Sequence, residues 1–255
     1  MGLPPHEHPA VSEPEVAIEV CGVYKTFGQQ QIHRGVDLKV LKGKTTVIVG
    51  HSGAGKSVLL KYILGLIQPD RGKIIVGGQD IVAMNHRQLY AVRSKFGVLF
   101  QGSALLDSLD VFDNVALPLR EKTKMNEEDI YNKVVEKLRL VGIEDALYKY
   151  PSELSGGMQR RVALARALQR DPEIVLFDEP TTGLDPETTH NIYDLFEATQ
   201  ARLGYTALIV SHDIPKVFRI ADYVAVLNQG RMLAHMPPDE LPHCGNEWVQ
   251  KMLTL

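Results

Sequence analysis

The run GHSGAGKS, residues 50–57, lies between the apolar TTVIV and the helix-patterned VLLKYILGL, and no other feature restricts the fold of this chain as strongly. It matches G-x-x-x-x-G-K-[ST], a pattern that has chemical meaning where a strand turns sharply into a helix. Gly50, Ser52, Gly53, Ala54 and Gly55 then form a loop whose backbone N–H groups can point inward at phosphate oxygens, and the helix N-terminus adds its dipole. Lys56 is expected to reach the β- and γ-phosphates and the Ser57 hydroxyl to bind Mg²⁺. The alternative is an ordinary Gly-rich turn before a helix; the flanking strand and helix patterns favour phosphate.

Such a loop requires a sheet behind it. The stretches IEVCGV and IHRGVDLKVL read as antiparallel strands, and TTVIVG, GVLFQ, EIVLFDE, TALIVSHD and YVAVLNQG as further short strands. Continuous apolar runs such as Ile174-Val175-Leu176-Phe177 suit a parallel sheet covered on both faces, which places ligands at the carboxyl ends of its strands. There the polar residues fall. Asp178 is expected to hold Mg²⁺ and Glu179 to accept a proton from attacking water, although an isolated Asp-Glu pair after a strand is more often a solvated turn. Gln101 and His212 also end strands and could reach a γ-phosphate, as water-positioning or metal-sensing groups. Each would serve equally well as a strand-end cap.

Residues 102–154 differ in character and contain the helical pattern MNEEDIYNKVVEKLRLVG, with Asn126 as N-cap, acidic residues in its first turn and Gly142 as stop. This reads as a helical insertion into the sheet domain. Immediately after it, ELSGGMQRRVALARAL places a second glycine pair at the start of a basic helix. Ser155, Gly156 and Gly157 would present a hydroxyl and N–H groups as a further anion site, one the first phosphate loop does not need.

With 255 residues, 44% hydrophobic and 23% charged, the chain can bury a full α/β core. Its net charge of −3 gives no bulk basicity to argue for nucleic acid. Cys21 and Cys244 fit neither a disulfide framework nor a Cys-x-x-Cys metal or redox pattern, so a reducing cytosol is the simpler reading. No apolar stretch approaches the roughly 20 residues that span a bilayer. The opening MGLPPHEHPAVSEPE does not read as a secretory signal. Residues 1–14 are expected to form a disordered, Pro-rich tail in which His6 and His8 are solvated rather than metal-bound, and residues 237–255 a C-terminal extension.

The order GHSGAGKS, Gln101, LSGGMQ, LFDEP, GLD (Gly183 to Asp185) and His212 resembles the nucleotide-binding subunits of ATP-binding cassette (ABC) transporters, from Val16 to about Leu233. The resemblance implies an α/β P-loop NTPase fold over residues 15–236, with a RecA-like core, an antiparallel β subdomain and a helical subdomain at about 102–160. It implies ATP and Mg²⁺, with Ser57, Gln101 and Asp178 toward the metal and Glu179, His212 and Gln101 toward the chemistry. It also gives the second glycine pair a purpose: two copies close head to tail, and Ser155, Gly156 and Gly157 of one meet the γ-phosphate held by the other. Phe27 would stack on adenine, with a strand-end or core aromatic as the alternative. Asp185 would contact the partner copy. Val58 stands where many cassettes carry Thr, and LSGGMQ replaces LSGGQ; neither removes the Ser57 hydroxyl or the Ser-Gly-Gly cradle.

Residues 102–121, GSALLDSLDVFDNVALPLRE, together with GHSGAGKSVLLKYILGLIQPDRG, resemble the Mla/Mce type of lipid-transport ATPase, the MlaF-like branch. That branch implies phospholipid movement between inner and outer membranes and a peripheral position on the cytoplasmic face of the inner membrane. Its implied partners are an MlaE-like permease, an MCE-domain lipid-binding protein and a STAS-domain protein. A lipoprotein-release or peptide-export ATPase would share every catalytic motif. A soluble mechanical ABC protein would need tandem cassettes or a long coiled coil between Lys56 and Ser155, and the sequence has neither.

Overall fold

A computed structural model describes residues 14–254; the expectations for His6, His8 and all but the last residue of the 1–14 tail lie outside the described residues. Two long strands, β1 (Val16–Phe27) and β2 (Gln30–Leu41), precede β3 (Thr45–Val49), which leads through the phosphate loop into α1 (Lys56–Ile63). Then come β4 (Arg71–Val76), β5 (Gln79–Asp80), α2 (His86–Arg93) and β6 (Phe96–Leu99). The helical stretch holds α3 (Val111–Lys122), α4 (Glu127–Leu140) and α5 (Gly156–Leu168). It is followed by β7 (Ile174–Asp178), α6 (Pro186–Leu203), β8 (Thr206–Ser211), β9 (Tyr223–Asn228), β10 (Arg231–Met236) and α7 (Glu247–Leu253).

The strands form two sheets. One is antiparallel, in the order β2-β1-β4-β5. The other runs β10-β9-β3-β8-β7-β6; its strands are parallel except β10, which pairs antiparallel with β9. The middles of the parallel strands are apolar because both faces are covered, polar residues falling at their ends, and successive residues go to opposite sides. Val47, Val49, Val175, Phe177 and Ile209 enter a core shared with α3 to α7. Ile48, Ile174, Leu176, Leu208 and Val210 enter a second core, shared with the antiparallel sheet, α1 and α2.

Register decides where the chemistry sits. Val49 pairs with Ser211 and Phe177 with Ile209, while Leu99 pairs with Phe177. The four strands β3, β8, β7 and β6 therefore end nearly level, bringing Gly50, His212, Glu179 and Gln101 to one edge.

The helix α4 forms as its sequence predicts: the Asn126 side chain accepts from the Asp129 N–H at 2.8 Å, three acidic residues follow, and Gly142 adopts φ +67° beyond the end. The boundary expected near residue 160 falls inside α5, which runs unbroken from Gly156 to Leu168 and packs against both α3 and α4 as well as β6. The helical stretch and the sheet thus share one core. In the first turn of α3, the fully buried Asn114 ties down the loop that enters the helix: Oδ1 accepts from Leu106 N, and Nδ2 donates to the carbonyls of Leu106, Leu109 and Asp110, at 2.9 to 3.0 Å.

The C-terminal extension is also built into this core. Leu241 and Val249 are fully buried and Met252 nearly so, while Trp248 is only half-buried beside them. At about 1.5–3 kcal/mol for each fully buried aliphatic side chain, these residues, more than Trp248, anchor the end of the chain.

Candidate active site

The phosphate loop owes its shape to close approaches that only glycine permits. A Cβ on Gly50 would lie 2.1 Å from the Leu227 carbonyl oxygen of β9. One on Gly55, which caps α1 at φ +98°, would lie 2.6 Å from His33 Nε2 and 2.9 Å from Ile32 Cγ2 of β2. Strands from both sheets therefore press the loop from beneath, and any side chain there would lift it.

Above it opens a cleft of about 550 Å³. Ser52, Gly53, Gly55, Lys56, Ser57 and Val58 form one wall, and Gln101, Glu179 and His212 stand across it. Gln30 and Ile32 from β2 complete the lining; nothing local in the sequence marked them. Gly50 and Ala54 belong to the loop but do not line the cleft, and Ala54 is buried in the second core.

Lys56 is buried and donates from Nζ to the carbonyls of Gly50 at 2.8 Å and His51 at 3.2 Å, with Glu179 Oε1 3.5 Å away. The Ser57 hydroxyl donates to Asp178 Oδ1 at 2.8 Å. Burial raises the Asp178 pKa above its ordinary value, helped by the Glu179 charge and opposed by the Ser57 hydrogen bond and by Lys61 and Lys56. His212 Nδ1 donates to Glu179 Oε2 at 2.5 Å, and the Thr182 hydroxyl lies 3.4 Å from the same oxygen. Glu179 itself is a non-glycine residue at φ +49°, pinned by its N–H to the Val210 carbonyl at 2.9 Å. Backbone strain of this kind persists where the surroundings over-determine it, typically at functional sites.

Phe27 is exposed at the end of β1 with Lys25 Nζ 5.2 Å from its ring centroid, and it does not line the cleft. Nor do Ser155, Gly156, Gly157 and Asp185. Ser155 caps α5 by accepting from Met158 N at 3.3 Å, and Asp185 caps α6 by accepting from Thr188 N at 2.9 Å. Both the serine and the aspartate are exposed, so within one chain the second glycine pair stays apart from the phosphate loop.

The donor set fits a Mg²⁺-bound nucleotide. A hydroxyl and a carboxylate in direct contact, beside a phosphate cradle, are hard oxygen ligands for an ion that keeps most of its coordination for phosphate and water. Among the described residues no group of three or more His, Cys, Asp or Glu side chains forms a metal cage of its own.

Beneath the loop, His33 is fully buried, its Nδ1 3.3 Å from the Tyr62 hydroxyl on α1 and its Nε2 against Gly55 with no hydrogen-bond partner. Burial pushes its pKa down to about 4. The unfolded chain takes up this proton first, so the stability held above pH ~6.5 should fall as pH drops from there toward 4, by about 3 kcal/mol in all. Urea unfolding of His33→Leu at pH 7 and pH 5 should show a shallower acid loss than the parent. An unchanged loss would assign it to other groups.

A phosphate loop after the central strand of a parallel sheet, with a carboxylate pair and a histidine level with it, defines a P-loop nucleotide-binding domain. The ABC transporter family model matches residues 33–182, and the chain belongs to that family. It is 43% identical over 218 residues to the intermembrane phospholipid transport ATP-binding protein MlaF of Escherichia coli, covering 86% of this chain and 81% of that one. It is likewise 43% identical over 226 residues to the probable ribonucleotide transport ATP-binding protein mkl of Mycobacterium leprae, covering 89% of this chain. The chain spans 65% of that mycobacterial relative's length. Among solved structures, cbiO1 of Clostridium perfringens, part of the ABC transporter complex cbiONQ, superposes with TM-score 0.83 at 29% identity, covering 93% of this chain and 94% of the other. A bacterial ABC transporter cassette solved as a dimer gives TM-score 0.78 at 32% identity, covering 86% of this chain and 98% of the other.

Proposed function

We propose that this chain is the ATP-hydrolysing subunit of an ABC transporter that energises phospholipid transport between inner and outer membranes. The observation that carries the hydrolytic part is the joining of Lys56, Glu179 and His212 across one cleft, within 3.5 Å of one another in sequence of contact. Lys56 exchanges its carbonyl partners for phosphate oxygens. Water oxygen attacks the γ-phosphorus, the bond to the bridging oxygen of ADP breaks, and Glu179 takes the proton, with His212 holding the carboxylate toward the cleft. Ser57 and Asp178, with Gln101 across the cleft, would hold Mg²⁺, which would supply neutralisation of the phosphate charge. Phe27 carries adenine.

Because Ser155, Gly156 and Gly157 stand apart from the cleft of their own chain, we assign them to the γ-phosphate held by a second copy. That closes two sites per dimer, with Asp185 against the partner. The cargo reading rests on the printed names of the MlaF relatives of Escherichia coli and Haemophilus influenzae. It brings with it an MlaE-like permease, an MCE-domain protein and a STAS-domain protein as partners, and a peripheral place on the cytoplasmic face of the inner membrane. None of the helices among the described residues is long and apolar enough to cross a membrane, so those partners would hold the chain there.

Affinity purification of the full chain carrying Glu179→Gln from its native membranes, with ATP present, followed by mass spectrometry of proteins and lipids, tests this. An MlaE-like permease with an MCE-domain protein and phospholipid is the expected result. A permease of the lipoprotein-release or peptide-export kind, or a nucleotide cargo such as the mycobacterial relatives' name indicates, would withdraw the phospholipid reading and leave the ATPase.

A further inference from the structure

The loop that follows Gln101 is held in an expensive conformation. Gly102, Ser103 and Ala104 all take positive φ, at +75°, +67° and +48°, and two of the three are not glycine. Left-handed backbone at a residue with a side chain is strained and survives only where neighbouring groups impose it. Here the neighbours are two arginines of α5. Arg166 donates from Nη1 to the Ala104 carbonyl and from Nη2 to the Ser103 carbonyl, both at 2.8 Å. Arg160 donates from Nη1 to the Ser103 hydroxyl at 2.6 Å.

Arg160 does something further. Its Nη2 donates to the Thr182 carbonyl at 3.2 Å, and the hydroxyl of that same threonine lies 3.4 Å from Glu179 Oε2. One planar guanidinium thus reaches a residue two positions past Gln101 and a residue in contact with Glu179. It does so from a helix whose first turn begins at Ser155. Only a forked, rigid donor can span two such acceptors at once.

As a purely stabilising element this arrangement is poor. Arg160 is nearly fully buried, no carboxylate lies within ion-pairing distance among the described residues, and its Nε has no hydrogen-bond partner. A buried charge without a counterion is a cost that an apolar side chain of similar size would relieve.

We infer that Arg160 is a positioning residue: it locks the Gln101 loop, the helix led by Ser155 and the turn after Glu179 into one unit, so that the groups meeting a γ-phosphate are set together. The inference rests on the ATP-hydrolysis reading above.

The experiment uses the complex purified from native membranes, with the parent chain, Arg160→Met and Ser103→Ala measured side by side for kcat, KM, ATP-analogue affinity and Tm. For Arg160→Met the expected result is a kcat lowered by at least roughly tenfold, as small misplacements of reacting groups allow, with affinity unchanged and Tm equal or higher. Ser103→Ala, which removes one end of the bridge and leaves the charge, should lower kcat in the same direction, and the double variant should lose less than the two effects combined. A kcat within about twofold of the parent in a folded Arg160→Met chain overturns the inference, since a displaced γ-phosphate shell would cost more. So does a parallel fall of Tm and nucleotide affinity with kcat, which would make Arg160 structural only. A parent complex that does not hydrolyse ATP fails separately, at the underlying reading, and takes this one with it.

Discussion

Glu179→Gln should bind ATP with the affinity of the parent chain and turn it over 10²- to 10⁴-fold more slowly, on the order expected for removal of a general base. The substitution is nearly isosteric and keeps an oxygen for the Thr182 hydroxyl, but the amide cannot accept the proton of the attacking water. It also removes the negative charge that Lys56 and His212 now face, at 3.5 and 2.5 Å. Lys56 is then freer to meet phosphate, so binding is not expected to weaken. If ATP holds two copies together, this variant should accumulate as an ATP-dependent dimer in size-exclusion chromatography, and the parent should not. Hydrolysis close to the parent rate would remove Glu179 from the role of base. The strained φ at this position would then need another explanation.

Ser155→Arg is expected to abolish turnover while the chain keeps its fold and its affinity for nucleotide. Folding should survive because, among the described residues, the one side-chain hydrogen bond lost is the cap to Met158 N at 3.3 Å, worth typically ~1 kcal/mol. Ser155 is exposed and distant from the cleft of its own chain, so a monomer binds ATP without it. In a head-to-tail pair the new guanidinium would occupy the place of a γ-phosphate. Mixing supplies the sharper readout. A dimer of one Ser155→Arg chain and one Lys56→Ala chain contains one site built wholly from unaltered parts, so activity should return when two inactive proteins are combined. Full activity of Ser155→Arg alone, or no recovery on mixing, would sink the shared site.

The reach of the sequence is best judged from particular elements. The strands β3, β7, β8 and β9, the cap and stop of α4, and the serine opening α5 form where the pattern of residues predicts them. In contrast, α3 goes unmarked because Pro118 interrupts its pattern, although the chain runs helical from Val111 to Lys122 around it. The resemblance puts the end of the helical subdomain at about 160, a position that lies within α5, Gly156–Leu168. Trp248 is the largest side chain of the C-terminal extension, yet the smaller Leu241 and Val249 take the fully buried places. Gln30 and Ile32 at the cleft, and His33 beneath Gly55, carry no signal at all in a strand of ordinary alternation.

The amino-acid order by itself determined the phosphate loop, the carboxylate pair, the second glycine pair and the parallel sheet they require. Each of these is encoded within a few neighbouring residues, through backbone freedom, capping or the period of apolar positions. The tertiary structure alone decided which of those pieces share a cleft, that His33 of one sheet supports the loop of the other, and that Arg160 joins Ser103 to Thr182 across 57 and 22 positions of chain. Such contacts depend on strand register and on which helix faces pack together. They are set by the burial of the whole core, and no local run of residues contains them.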